Sequence, residues 1–143
     1  MLAFAAKHDV PASRMVFSQR CVHQEYRQRL TLADLYLDTH PYNAGSTARD
    51  VLDARLPMLT LSGRTFISRM AGSMLRAAGL KELVTQSMAE YEKLLVSIGS
   101  DTSKLLSLKQ KLELSSANWA QAPRQLVRSM ERGLHEMLRH LET

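Results

Sequence analysis

The chain has 143 residues, of which 45% are hydrophobic and 23% are charged, and its net charge is +5. These values fit one folded domain of roughly 100–150 residues and exclude an intrinsically disordered chain. No apolar run approaches the roughly 18 residues of a membrane span, and the first ten residues do not form an obvious secretion signal.

Helices and strands alternate in the first part of the chain. The predicted helices cover residues 2–8, 23–29, 46–56 and 64–78, and the predicted strands cover 15–18, 35–37 and 58–61. Residues 83–85 are predicted as a short strand or the start of a helix. The strands are continuous apolar runs, as expected when helices cover both faces of a sheet. This alternation predicts an α/β fold with a parallel sheet.

Three features define the predicted helix boundaries in this part. Pro57 ends the third helix, and Ser46 or Thr47 is expected to be its N-cap, with Val51 and Leu52 facing inward. Gly79 follows the fourth helix as a C′ residue. The fourth helix is expected to place one apolar stripe on the sheet; its members are Phe66, Met70, Met74 and Ala78.

The second part of the chain is predicted to be helical. Helices are expected over residues 88–99, 101–114 and 123–141, with a loop over 115–122 around Trp119. The last helix carries apolar residues at i, i+3, i+4 and i+7 spacings, which indicates one buried face. These residues are Leu126, Val127, Met130, Leu134, Met137, Leu138 and Leu141.

The junction between the second strand and its helix is the strongest candidate binding site. Ligands of parallel α/β sheets bind outside the carboxyl ends of the strands. The helix begins with Gly45-Ser46-Thr47, whose small side chains leave backbone N–H groups open to a phosphate. Asp50 lies one turn further and is suited to a ribose hydroxyl. The alternative is that Ser46 or Thr47 only caps the helix and Asp50 only caps the turn.

A second junction follows the strand at 58–61. Gly63 permits a tight turn, and Arg64 is expected to place a positive charge at another helix N-terminus. Because that charge opposes the helix dipole, a compensating anion is one interpretation. An exposed, solvated arginine is the other.

Charge and residue spacing bear on other possible functions, including nucleic-acid binding, metal binding and catalysis. Residues 1–80 hold ten basic and six acidic side chains, which suits an anionic ligand or serves only solubility. The sequence contains no block of five or six like charges, so no nucleic-acid partner is expected. The five histidines lack metal-ligand spacing, and no catalytic residue or metal site is predicted. The single cysteine, Cys21, excludes an internal disulfide and is consistent with a cytoplasmic location.

The central segment of the chain follows a known sequence pattern. The matching residues are Leu32, Ala33, Asp34, Leu37, Asp38, Thr39, Asn43, Gly45, Ser46, Thr47, Asp50, Leu52, Pro57, Thr60, Gly63, Arg69, Ser73 and Leu75. With them the segment resembles glycosyltransferase family 41, the O-linked N-acetylglucosamine transferases, SPINDLY-type proteins and bacterial relatives. Glu90-Tyr91-Glu92 and residues 115–137 follow the closing helices of that family.

The resemblance implies a fold and a reaction. It implies part of the Rossmann-like nucleotide-binding lobe of a GT-B enzyme over residues 1–85, followed by a helical segment, 86–143, packed on the same lobe. It also implies a UDP-sugar donor, with UDP-N-acetylglucosamine as the expected one, a protein Ser/Thr acceptor, inversion at the anomeric carbon and no metal or other cofactor. No membrane partner is expected.

The resemblance also assigns residues to the donor nucleotide. Ser46 and Thr47, with Gly45, would bind the diphosphate, and Asp50 would bind the ribose. The remaining residues of the implied site are Cys21, Val22 and His23 beside the uracil, and Tyr26 and Arg29 near the nucleotide.

Several positions depart from the family pattern. Gly45 and Tyr26 each stand where the family has a histidine, and Leu56 replaces a glycine. The amino-terminal lobe and the TPR repeats of the family have no counterpart, so the isolated chain is expected not to catalyse transfer. An alternative is a non-catalytic interaction module or a degenerate remnant, dimerising through an uncovered sheet edge.

Overall fold

The structure is a computed structural model, and it describes residues 1–119 and 122–141. Helices and strands alternate in the first part of the chain, and helices alone follow. The helices are α1 (Leu2–Ala6), α2 (His23–Leu30), α3 (Ser46–Asp53), α4 (Met70–Ala77), α5 (Met88–Gly99), α6 (Thr102–Trp119) and α7 (Ala122–Leu141). The strands are β1 (Tyr36–Leu37), β2 (Met58–Leu61) and β3 (Val84–Thr85).

The three strands form a parallel sheet in the order β1-β2-β3. All four residues of the central strand β2 are buried, and β2 packs against α3, α4 and α5. This arrangement confirms the predicted parallel α/β fold. Because the strands run in one direction, their carboxyl ends lie at one edge of the sheet, where the connections to α3, α4 and α5 begin.

The hydrophobic core joins the sheet to helices from both parts of the chain. Met58 of β2 and Leu75 of α4 are fully buried in it, together with Val51 of α3. Ile98 of α5 and Leu112 of α6 belong to the same cluster. Burial of each such side chain stabilises the fold by about 1.5–3 kcal/mol. The division of the chain at residue 85 stays a prediction.

The predicted strand at 15–18 is wrong, because that segment forms no strand. Val16 is 89% exposed and Phe17 is 60% exposed. A strand exists only where its backbone pairs with a neighbour, and apolar composition alone supplies no neighbour. The short apolar run is therefore an extended surface segment that leads to α2.

The helix predicted over 64–78 is too long, since α4 begins only at Met70. The Ser68 hydroxyl donates to the carbonyl oxygen of Thr65 and accepts from the Thr65 amide, so residues 64–66 form a bend and only a short 3-10 helix, Ile67–Arg69, precedes α4. The predicted apolar stripe is also wrong at Phe66, which is 78% exposed. Ala78 of that stripe is buried directly after the helix, and Ala71 and Leu75 form the buried face of α4 itself.

Two other helix boundaries differ from the prediction. The helix α3 ends at Asp53, and Arg55 adopts a left-handed conformation with φ of 56° that turns Leu56 into the core. The helix α6 extends to Trp119, so the loop predicted from residue 115 is wrong up to that point. Residues 120 and 121 of that predicted loop lie outside the described residues.

The last helix has the predicted extent but not the predicted buried face. The helix α7 begins at Ala122, one residue before the predicted start. Six of its large apolar side chains are each more than half exposed; they are Leu126, Val127, Met130, Leu134, Met137 and Leu138. Within the described ranges, no helix combines the length and apolar character needed to cross a membrane.

Candidate functional site

The loop between β1 and α3 is held in place by a buried carboxylate. Asp38 follows β1 directly, and its Oδ1 accepts hydrogen bonds from the amides of Thr39 (2.9 Å) and Ala44 (2.8 Å). Its Oδ2 accepts from the Thr60 hydroxyl at 2.5 Å. These bonds connect the end of β1 to the residue that precedes Gly45 and to the neighbouring strand.

A buried amide holds the same loop from its other side. The Nδ2 of Asn43 donates to the carbonyl oxygens of Thr39 (2.8 Å) and Leu61 (3.3 Å). Asn43 is fully buried, and its Oδ1 has no hydrogen-bond partner among the residues that the structure describes. The loop before α3 is therefore anchored to the carboxyl end of β2.

The start of α3 presents backbone amides without a side-chain cap. Gly45 is the N-cap, and no side chain accepts a hydrogen bond there, so the prediction of Ser46 or Thr47 as N-cap is wrong. The first N–H groups of any helix lack intrahelical partners. A Cβ at Gly45 would lie 3.0 Å from the Met70 Cε, the end of a flexible side chain.

Side chains of α2 and α3 meet beside this helix start. The Nε2 of His23 lies 3.0 Å from the Oδ2 of Asp50. The rings of His23 and Tyr26 stack with centroids 6.3 Å apart. Burial and the charge of Asp50 raise the pKa of Tyr26, while a hydrogen bond from the Thr47 side chain acts in the opposite direction. Four of the residues named from the sequence therefore lie together; they are His23, Tyr26, Thr47 and Asp50.

The remaining predicted residues lie at the edges of this cluster. Cys21 is a partly buried free thiol, and the exposed Val22 is the N-cap of α2. Arg29 donates from Nη1 to the carbonyl oxygen of Gln19 at 3.2 Å, which ties α2 to the segment before it. Ser46 lies at the first position of α3.

Sequence reasoning gave no role to three residues that build the site. Asp38 and Asn43 belong to the recognised pattern, but spacing alone did not connect them to the helix start. The hydroxyl of Tyr91, on α5, donates to the carbonyl oxygen of Asp38 at 3.3 Å. Burial raises the pKa of Tyr91, and the charge of Asp38 raises it further. The signal for Asp38 and Asn43 in the sequence was their place in the family pattern.

The second junction opens onto a cleft at the same edge of the sheet. The cleft has a volume of about 610 Å³ and is lined by residues that include His40, Arg64 and Gln86. Because α4 begins at Met70, the expectation that Arg64 lies at a helix N-terminus is wrong. Gly63 is required sterically, since a Cβ there would lie 2.4 Å from the Ser68 Oγ.

The sequence model of Glycosyl transferase family 41 matches residues 1–121 of this chain. The chain therefore belongs to that family. It is 34% identical over 109 residues to the UDP-N-acetylglucosamine--peptide N-acetylglucosaminyltransferase of Caenorhabditis elegans, covering 76% of this chain and 10% of that protein. It is 35% identical over 113 residues to the probable enzyme SEC of Arabidopsis thaliana, covering 78% of this chain and 12% of that protein.

A further curated relative and a solved structure also match this chain over part of their own length. The probable enzyme SPINDLY of Petunia hybrida is 30% identical over 91 residues, which cover 64% of this chain and 10% of that protein. An O-GlcNAc transferase mutant from Thermobaculum terrenum superposes with a TM-score of 0.74 and 27% identity, covering 80% of this chain and 22% of that one. The chain is thus an O-GlcNAc transferase-like glycosyltransferase region that spans about a tenth of the length of these curated relatives.

Proposed function

We propose that this chain is the nucleotide-binding part of a UDP-sugar-dependent protein O-glycosyltransferase, with UDP-N-acetylglucosamine as the donor. The observation that carries the proposal is the convergence of His23, Tyr26, Thr47 and Asp50 beside the start of α3. The names of the matched relatives support the donor and a protein acceptor. The proposed compartment is the cytoplasm.

In the proposed complex the diphosphate binds at the start of α3. The backbone amides after Gly45 and the hydroxyls of Ser46 and Thr47 donate hydrogen bonds to its oxygens, and the helix dipole favours the negative charge. Hydrogen-bond donors arranged in this way stabilise the charge that develops on departing UDP without a metal ion. The proposed reaction is therefore metal-independent, and it inverts the configuration at the anomeric carbon.

The nucleoside lies between α2 and α3 in this proposal. Asp50 accepts a hydrogen bond from a ribose hydroxyl, and Cys21, Val22 and His23 lie beside the uracil. Tyr26 lies near the nucleotide, and Arg29 holds the α2 segment that faces it. His23 contacts only the Oδ2 of Asp50, and a carboxylate accepts several hydrogen bonds, so Asp50 can accept one from a ribose hydroxyl while His23 stays in place.

Tyr26 serves in this proposal as a hydrogen-bond donor and a surface for the base. Its pKa is raised by burial and by Asp50, so the phenol keeps its proton at neutral pH. It therefore does not act as a general base there. We propose that the 143-residue chain by itself binds UDP and does not transfer sugar, because relatives that carry the whole reaction are far longer.

Calorimetric titration of the chain with UDP tests this proposal. Thr47→Val removes a proposed phosphate donor, and we expect the Kd for UDP to rise about tenfold, the cost of one lost hydrogen bond to a charged group. Thr102→Val makes the same change at an exposed position of α6 and is expected to leave the Kd unchanged. Absence of any UDP binding by the unmodified chain, or an unchanged Kd for Thr47→Val, would contradict the proposal.

A non-catalytic interaction module is the second candidate function. The observation in its favour is the exposed apolar face of α7, together with the exposed Leu37 of the edge strand β1. Such surfaces commonly mark contacts with another protein, including a second copy of the same chain. Sedimentation of the chain as a dimer, with a melting temperature that UDP does not change, would favour this function over the first.

A further inference from the structure

Asp38 uses both of its carboxylate oxygens inside the protein. One oxygen accepts from the amides of Thr39 and Ala44, and the other accepts from the Thr60 hydroxyl. The side chain is buried, so it does not extend into the solvent in front of α3. A buried carboxylate is stable only when it is well hydrogen-bonded, and these three donors meet that requirement.

The bond to Ala44 has a geometric consequence for the helix that follows. Ala44 precedes Gly45, the N-cap of α3, so the position of its amide sets where the first turn of α3 begins. Asp38 itself is fixed by its place after β1, by Thr60 on β2 and by the Tyr91 hydroxyl on its carbonyl oxygen. The start of α3 is therefore placed relative to the sheet through one side chain.

Asn43 makes the same connection from the neighbouring position. Its amide group donates to the carbonyl oxygens of Thr39 and Leu61 while its own oxygen stays unpaired among the described residues. An unpaired buried oxygen is unfavourable. The two bonds that the amide donates close the loop onto β2.

We propose that Asp38 is a positioning residue for the diphosphate: it fixes the loop so that the first amides of α3 point to the phosphate oxygens before the donor binds. This inference rests on the proposed function. Preorganisation of this kind raises affinity because the ordering of the loop does not have to be supplied at the moment of binding. We expect its effect to be confined to the first amides of α3, which contact the diphosphate; Asp50, the proposed contact of α3 with the ribose, lies one turn further along the helix.

The test compares the affinities of the full 143-residue chain for UDP and for uridine. UDP is titrated by calorimetry and uridine by ligand-observed NMR, both well below the melting temperature of each variant. Asp38→Ala removes all three acceptor contacts, and we expect it to weaken UDP binding about tenfold while uridine binding stays unchanged. Asp38→Asn keeps an oxygen that can accept from both amides and is expected to restore most of the UDP affinity.

Two further variants serve as a control and as a second test of the role of Asp38. Asp53→Ala removes an exposed carboxylate from α3 and is expected to change neither affinity. Thr60→Val removes only the hydroxyl that fixes Asp38, and a smaller loss confined to UDP is expected. This variant gives the deciding result if Asp38→Ala does not fold.

The possible outcomes separate the inference from the proposed function. Equal losses of UDP and uridine affinity in Asp38→Ala, or in Thr60→Val, would assign Asp38 a general structural role and overturn the inference alone. Unchanged affinity for UDP in these variants would also overturn it. If the unmodified chain binds neither ligand, the proposed nucleotide site is wrong and this inference falls with it.

Discussion

The loop before α3 and the last helix, α7, differ in where their side chains find partners. In the loop, Asp38 and Asn43 are buried and form hydrogen bonds with two strands. In α7, the large apolar side chains from Leu126 to Leu138 remain more than half exposed. The first region is organised by contacts within the chain, whereas the second has an amphipathic pattern that the described residues do not cover.

The helix α6 is intermediate between the buried loop and the exposed α7 in how its side chains are packed. Leu112 anchors it in the core, and Lys109 pairs with Asp34 at 2.8 Å. Lys111 pairs with Glu82. Burial acts to raise the pKa of Glu82, but the hydrogen bond and the charge of Lys111 lower this pKa below its ordinary value. Exposed ion pairs contribute little stability, so the buried leucine is the main anchor. Amphipathic sequence alone therefore does not determine whether a helix is packed.

Truncation of a buried leucine on α4 and of an exposed leucine on α7 should give the largest contrast. Leu75→Ala removes a fully buried side chain and leaves a cavity beside β2, so we expect a loss of about 2–5 kcal/mol in the free energy of unfolding. Leu134→Ala on α7 should cost less than about 0.5 kcal/mol. Chemical denaturation of both variants measures this. A large loss for Leu134→Ala would mean that the face of α7 is covered in solution.

Addition of a methyl group to Gly63, which follows β2, and to Gly133 on α7 should have effects of opposite sign. Gly63→Ala places a Cβ against Ser68 and should destabilise the fold by about 1–3 kcal/mol. Gly133→Ala meets no atom within 4 Å and should stabilise α7 by about 0.5–1 kcal/mol through higher helix propensity. Melting curves of the two variants, compared with the unmodified chain, measure both effects. Destabilisation by Gly133→Ala would contradict the exposed arrangement of α7.

Alkaline pH should weaken the packing around the loop before α3 through three tyrosines, which lie on α2, β1 and α5. The pKa values of Tyr26, Tyr36 and Tyr91 are raised, with burial as the largest cause for each. A folded-state pKa above the unfolded value gives stability that is complete below about pH 10 and is lost as the pH rises through the folded pKa. We therefore expect the melting temperature to fall above about pH 10.

The variant Tyr91→Phe sharpens this expectation. It removes one ionisable group and one hydrogen bond to Asp38, so it should melt slightly lower at pH 8 and lose less on going to high pH. Melting temperatures between pH 8 and alkaline conditions, measured for both chains, provide the comparison. Equal alkaline losses in the two chains would show that Tyr91 does not contribute.

Much of the fold and half of the site follow from local patterns in the sequence. The apolar run over 58–61 predicts the buried strand Met58–Leu61, and the polar segment 23–29 predicts the helix that the structure has over His23–Leu30. The strand predicted over 15–18 is wrong because its apolar run has no neighbouring strand to pair with. The predicted start of α4 is wrong because hydrogen bonds between Thr65 and Ser68 compete with the helix.

The sequence by itself determined the parallel α/β order, the family and the small residues at the start of α3. It could do so because these features depend on neighbours along the chain. Only the tertiary structure decided that Asp38 binds the amide of Ala44, that His23 pairs with Asp50, and that α7 leaves its apolar face exposed. Each of these depends on which segments come together in space, and contacts between distant residues leave no periodic signal in the chain.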